Sequence, residues 1–259
     1  MPRASRHYLP GHIWHLTHRC HRKQFLLKFL KDRRIWIDWL YTACKRLRLC
    51  VLDYNVTSNH IHLIVRDRGG GEIARSMQLI AGCSGQQFND RKHRRGAFWE
   101  DRYHATAIED GAHLARCVVY VDLNMVRAGV VAHPAQWQTC GYHEIQQPPR
   151  RCGIIDRKAL AEVLEVSVAE LAERHAEWIA EALGGGNHTR IREWSSSVAV
   201  GSREFVEGIA SALKSRANGR ELESFEPFED SFVLREPAAV YAHRFATEKR
   251  HGGRRKGQL

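Results

Sequence analysis

The chain has 259 residues, 43% hydrophobic and 27% charged, the balance of a globular protein able to bury a substantial core. With 40 Lys and Arg against 29 Asp and Glu, the formal net charge is +11, which favours a polyanionic partner such as nucleic acid. No apolar run approaches the roughly 20 residues that span a bilayer, and the start, MPRASRHYLPGHIWH, lacks the apolar core of a secretory signal, so no membrane association is expected.

GHIWHLTHRC, residues 11–20, reads as a strand with Ile13 and His15 on one face and Trp14 and Leu16 on the other. His15 then faces away from His18, which argues against a zinc site built from His15, His18, Cys20 and His21. The seven cysteines, at 20, 44, 50, 83, 117, 140 and 152, are odd in number, scattered and without a CxxC pair. They suit free thiols in a reducing cytoplasm better than a disulfide framework. Residues 30–49 carry apolar side chains at helical spacing, at Ile35, Trp36, Trp39, Leu40 and Ala43. CVLDYNVTSNHIHLIVR then predicts two strands joined at Thr57-Ser58-Asn59, a hairpin.

Gly69–Gly71 is a loop leading into EIARSMQLIAGCSGQQFNDR, a helix. The basic run Arg91-Lys92-His93-Arg94-Arg95 follows, and GAFWEDRYHATAI holds a fourth strand near its end. A further helix is expected from about Ala112 to Ala128, with Asp110 as N-cap and Gly129 as its stop. The order β-α-β-β-α-β-α makes a ferredoxin-like α+β fold, an antiparallel sheet with packed helices, the natural arrangement. Composition shifts at QQPPRR, so residues 1–146 are expected to form the main domain, 147–151 a linker and 152–259 a helical C-terminal region. Within that region Ser167 and Glu170 form a capping box, a last helix covers Ser202 to Lys214, and the basic tail EKRHGGRRKGQL reads as disordered.

SNHIHLIV, residues 58–65, carries the first chemical signal. On a strand His60, His62 and Ile64 share one face, with the two histidines roughly 6.5 Å apart along the backbone, close enough to converge on one metal ion or phosphate. Packing histidines are the alternative. The helix AHLARCVVYVDLNMVRAG carries the second signal. Its polar residues Arg116, Tyr120, Asn124 and Arg127 fall within roughly 80° of arc, between apolar stripes. Paired histidines, a tyrosine and an amide one turn apart, and a basic surface together point to phosphodiester chemistry with a tyrosine nucleophile.

With these residues in view the sequence resembles the REP-associated tyrosine transposases, within the single-tyrosine HUH transposases. The resemblance lies in SNHIHLIV as the His-hydrophobic-His motif, in GAFWEDRYHA and in YVDLNMVRAGVV, covers most of residues 8–146, and extends to GSREFVEGI at 201–209. It implies an HUH nuclease core in which His60 and His62 bind a divalent cation, Mg²⁺ or Mn²⁺, and Tyr120 is the nucleophile. Asn124 sits where relatives place a polar third ligand. The implied reaction is metal-dependent cleavage and transfer of single-stranded DNA at REP-like hairpins through a 5′-phosphotyrosine link, in a cytoplasmic, nucleoid-associated protein with no obligatory protein partner evident. Met125 departs from the family, which usually has proline there, and this bears on where the helix ends.

Arg91, Lys92, Arg94 and Arg95, followed by Trp99, Arg102 and Tyr103, interleave charge with aromatic surface and are candidate DNA contacts, as are Arg116 and Arg127. Phe98 and Trp99 serve equally well as core. Two other readings stand beside the transposase: a non-catalytic DNA- or RNA-binding protein of the same fold, and a metal-dependent phosphoesterase that activates water. A paired HxT/S phosphoesterase does not fit, because neither His60 nor His62 is followed two places on by Ser or Thr.

Overall fold

The computed structural model describes residues 9–186, 191–213, 221–225, 228 and 230–235; Lys214 and the basic tail lie outside these. The first half of the chain follows the expected order: β1 (Ile13–Arg19), α1 (Leu30–Leu47), β2 (Cys50–Val56), β3 (His60–Arg66), α2 (Glu72–Arg91), β4 (His104–Ile108) and α3 (Ala112–Asp122). These strands lie in the order β2-β3-β1-β4, each antiparallel to its neighbour, which is the ferredoxin-like arrangement. The fold is α+β.

α4 (Asn124–Arg127), α5 (Tyr142–Gln146), α6 (Arg157–Val163), α7 (Leu171–Gly184) and α8 (Glu193–Ser196) come next, followed by β5 (Ala199–Gly201), α9 (Arg203–Leu213), β6 (Glu221–Ser224) and β7 (Phe232–Arg235). The C-terminal region is therefore not purely helical, as the sequence suggested. β5 pairs parallel with β4, and β7 and β6 continue antiparallel beyond it, giving a seven-stranded sheet. Strands of three or four residues are too short to show a period, and they form here because β4 would otherwise offer an unpaired edge. Buried residues from both sides of 147–151 belong to one hydrophobic cluster.

The two faces of the four-stranded core differ in chemistry. Trp14 and Leu16 of β1 and Ile61, Leu63 and Val65 of β3 share one face and are almost wholly buried. The other face holds His15, Thr17, His60 and His62, joined by His104 and Thr106 of β4. In β2 the register shifts between Val51 and Asp53. The bulge turns Asp53 and Asn55 onto the polar face, opposite Ile64 and His62.

Buried polar groups need partners, and the covering elements supply them. Asn55 Nδ2 donates to the Val121 carbonyl of α3, while Thr106 Oγ1 and His104 Nε2 both donate to the carbonyl of Ser197, just after α8. The polar face is thus roofed by α3 and by the segment around α8.

The expected helix over 112–128 is interrupted. Leu123, with ψ of 5°, ends α3 and caps α4, although the amides of Leu123 and Arg127 still reach the carbonyls of Val119 and Leu123. The break needs no proline. Gly111 (φ +60°) rather than Asp110 is the N-cap, held by its N–H to the Val163 carbonyl, and Gly129 (φ +67°) takes the left-handed turn that ends α4.

Candidate active site

The hairpin turn at 57–59 prepares the first histidine. Thr57 Oγ1 accepts the His60 amide and lies 2.9 Å from His60 Nδ1, with Asn59 Oδ1 at 2.7 Å. An amide oxygen accepts only, so Nδ1 carries the proton and the lone pair of the neutral ring sits on Nε2. The second histidine is set by a longer chain. His15 Nδ1 lies 2.6 Å from the Trp194 carbonyl, His15 Nε2 lies 2.9 Å from His62 Nδ1, and His62 Nε2 lies 2.9 Å from the Asn124 side-chain amide. Because the carbonyl must accept, neutral His15 carries its proton on Nδ1, accepts at Nε2 from His62, and leaves the lone pair of His62 on Nε2. Burial pushes His15 down to about 4, which keeps its ring neutral.

The His60 and His62 ring centroids are 4.9 Å apart. Among the described residues no group of three His, Cys, Asp or Glu side chains is arranged to hold a metal. The donor set nonetheless fits a divalent cation: two imidazole Nε2 atoms with lone pairs, and an amide beside one of them. Turning the Asn124 amide by 180° exchanges its nitrogen for its oxygen, so the same side chain either donates to His62 or offers an oxygen to a cation. His15 is spoken for at both nitrogens and orients His62 rather than joining the set.

Tyr120 stands one turn before Asn124. Its ring centroid is 5.9 Å from that of His62 and 6.2 Å from that of His15. The Arg127 guanidinium lies 4.0 Å over the tyrosine ring and donates to the Tyr120 carbonyl at 2.6 Å, and Trp194 closes a further side at 6.4 Å. The tyrosine is only 5% exposed. A cleft of about 510 Å³ opens on the histidines and is lined by His60, His62, Arg19, Arg102, His104 and Arg192, with Glu100 and Asp101 also on its wall; Tyr120 is not among its lining residues.

The structure therefore gathers His60, His62, Asn124, Tyr120 and Arg127, and puts Arg102 at the cleft. The remaining candidates lie elsewhere. Arg116 turns to the C-terminal region, 4.7 Å over the Phe228 ring and 3.3 Å from Ser231 Oγ. Arg91 pairs with buried Asp32, and Arg94 bonds Asn89 and the carbonyls of Gly96 and Ala97, so both hold local structure. Lys92 and Arg95 are exposed. Trp99 stacks on His18 at 4.1 Å and donates to the Ala81 carbonyl, while Phe98 and Tyr103 are buried. Sequence reasoning missed His15, His104, Trp194 and Arg192. The first shares a strand face with the motif across the pairing, a signal readable only once the register is known; the last two reach the site from far along the chain.

The ferredoxin-like sheet thus presents a histidine pair to a tyrosine from α3 and an amide from α4. Residues 10–124 match the family described as Transposase IS200 like, a stretch running from just before β1 through Asn124. Through this region, which is less than half of the chain, it is similar to the IS200-like transposases. Among solved structures it is similar to a REP-associated tyrosine transposase bound to a REP hairpin, at 20% identity and a TM-score of 0.47 over 56% of this chain and 85% of that one. It is also similar to a candidate transposase of Deinococcus radiodurans, at 13% identity and a TM-score of 0.34 over 49% of this chain and 97% of that one. No curated protein matches. Both structural likenesses are distant.

Proposed function

We propose that the protein cleaves and transfers single-stranded DNA at hairpin-forming sequences, with Tyr120 as nucleophile and a divalent cation, Mg²⁺ or Mn²⁺, held by His60, His62 and Asn124. The observation that carries this reading is the convergence of Asn124 on His62 at 2.9 Å with Tyr120 one helical turn away. A cation bound there would polarise a phosphate oxygen and offset the charge that builds during attack. Tyr120 Oη bonds to phosphorus as the 3′-oxygen departs, and the phenolic proton ends on that oxygen, leaving a 5′-phosphotyrosine and a free 3′-hydroxyl. Attack by another 3′-hydroxyl reverses the step, so no nucleotide cofactor is needed. Arg19, Arg102 and Arg192 give the cleft the charge to receive a phosphate backbone, and the +11 net charge acts in the same direction.

A second reading has one observation in its favour. Tyr120 is nearly buried and does not line the cleft, as befits a structural tyrosine in a phosphoesterase that activates water. Incubation of labelled hairpin oligonucleotides with the protein and Mg²⁺ or Mn²⁺, followed by a denaturing gel beside Tyr120→Phe, separates the two. A metal-dependent protein–DNA band that the substitution abolishes supports tyrosine attack. Cleavage that survives Tyr120→Phe, with no such band, makes water the nucleophile.

A further inference from the structure

The large apolar side chains most exposed to solvent among the described residues include just two aromatics, and both lie in the segment between β1 and α1: Phe25 at 65% and Phe29 at 57%. A single exposed phenylalanine is unremarkable on a protein surface. This pair differs in its surroundings. Lys28 Nζ and Lys92 Nζ stand 5.8 Å and 5.3 Å from the Phe29 ring centroid, and Arg22 and Lys23 are exposed in the same segment.

The segment is also fastened to the turn that carries His60. The Leu27 amide donates to the Ser58 carbonyl at 3.0 Å, and Asn59 Nδ2 donates to the Lys23 carbonyl at 3.2 Å while Asn59 Oδ1 meets His60 Nδ1. Lys23 itself lines the cleft. The aromatics of the 98–103 stretch, by contrast, are taken up by packing: Trp99 on His18, and Phe98 and Tyr103 in the interior. An exposed Phe29 ring beside two lysines and an exposed Phe25, in the segment that brings Lys23 to the cleft, have the composition of a single-strand platform, in which bases stack on rings and phosphates meet the charges.

We propose that Phe25 and Phe29 form a base-stacking platform for unpaired nucleotides of single-stranded DNA beside the cleft, with Lys28 and Lys92 neutralising the phosphates of those nucleotides. The proposal rests on the reading of the chain as a single-strand DNA enzyme and adds to it where the unpaired strand runs. A second copy of this chain is a poorer occupant, since a symmetric contact would set the same lysines against each other.

The test is fluorescence anisotropy with labelled oligothymidine and with an abasic strand of equal length, comparing the parent with Phe25→Ala/Phe29→Ala. Both side chains are exposed, so the variant is expected to keep the parent's thermal unfolding midpoint. Stacking lost at each ring is expected to weaken binding by about 5- to 150-fold on the base-bearing strand. On the abasic strand the two proteins should bind alike. Lys92→Gln should weaken binding on both strands and lower the slope of log affinity against log salt by about one phosphate's worth. Equal affinity of parent and double variant for oligothymidine overturns the platform, as does an equal loss on the abasic strand. A parent dimer in sedimentation that the phenylalanine substitutions dissolve overturns it in favour of self-association. A parent that binds no single strand at all sinks the DNA reading itself, an outcome distinct from a parent that binds and a variant that binds equally.

Discussion

His15 Nε2 lies 2.9 Å from Nδ1 of His62, although in the β1–β3 register His15 stands opposite Ile64 and Thr17 opposite His62. The two rings meet edge to edge, diagonally across the pairing, with planes 16° apart. The Trp194 carbonyl sets the proton of His15, His15 sets the proton of His62, and the lone pair of His62 is left on Nε2.

Replacing His15 by Leu removes the acceptor that holds this tautomer. Mn²⁺ affinity is expected to fall by about 10- to 100-fold, the usual cost of losing an orienting partner of a ligand histidine. His15→Gln, whose amide oxygen also accepts, should stay much closer to the parent. Calorimetric titration with Mn²⁺ reads both; a Leu variant that binds as tightly as the parent would show that His15 only packs.

Asn124 is expected to act as a ligand through its amide oxygen. Asn124→Ala should weaken Mn²⁺ binding by more than about 10-fold, and Asn124→Asp, which substitutes an anionic oxygen, should strengthen it. The same titration decides, and an alanine variant with unchanged affinity would remove Asn124 from the set.

Asp53 is buried on the polar face, and burial, reinforced by the charge of nearby Asp122, raises its carboxyl well above the ordinary range. The folded state therefore keeps a proton that the unfolded chain releases near its ordinary pKa of about 4. Stability from this group is fully present below that value and is lost as pH rises through the folded pKa. Asp53→Asn should remove the loss, raising the urea midpoint at neutral pH and flattening its fall between acid and neutral pH. An Asn variant less stable than the parent at pH 7 would contradict this.

Trp194 is fully buried, with ring centroids 5.4 Å from Phe225 and 6.3 Å from Phe228 in addition to its contact with Tyr120. Trp194→Ala should cost about 3–5 kcal/mol in unfolding free energy, and Trp194→Phe clearly less, measured by urea denaturation. A negligible cost would mean that the α8 segment is not an integral part of the core.

The sequence by itself determined the order of the first seven elements, the shared face of His60 and His62, and the helical spacing of Tyr120 and Asn124, because these are local regularities of strand and helix. Strand alternation also separated His15 from His18. It could not say which of Arg116, Tyr120, Asn124 and Arg127 face the histidines. That depended on how α3 lies across the sheet and where the backbone turns at Leu123, and the fold sends Arg116 to Phe228 instead. The bulge that brings Asp53 and Asn55 to the polar face and the diagonal meeting of His15 with His62 depend on interstrand register. Trp194 reaches His15 across 179 residues. Contacts of that kind leave no period in the sequence, and only the packing of the C-terminal segment against the polar face of the sheet decided them.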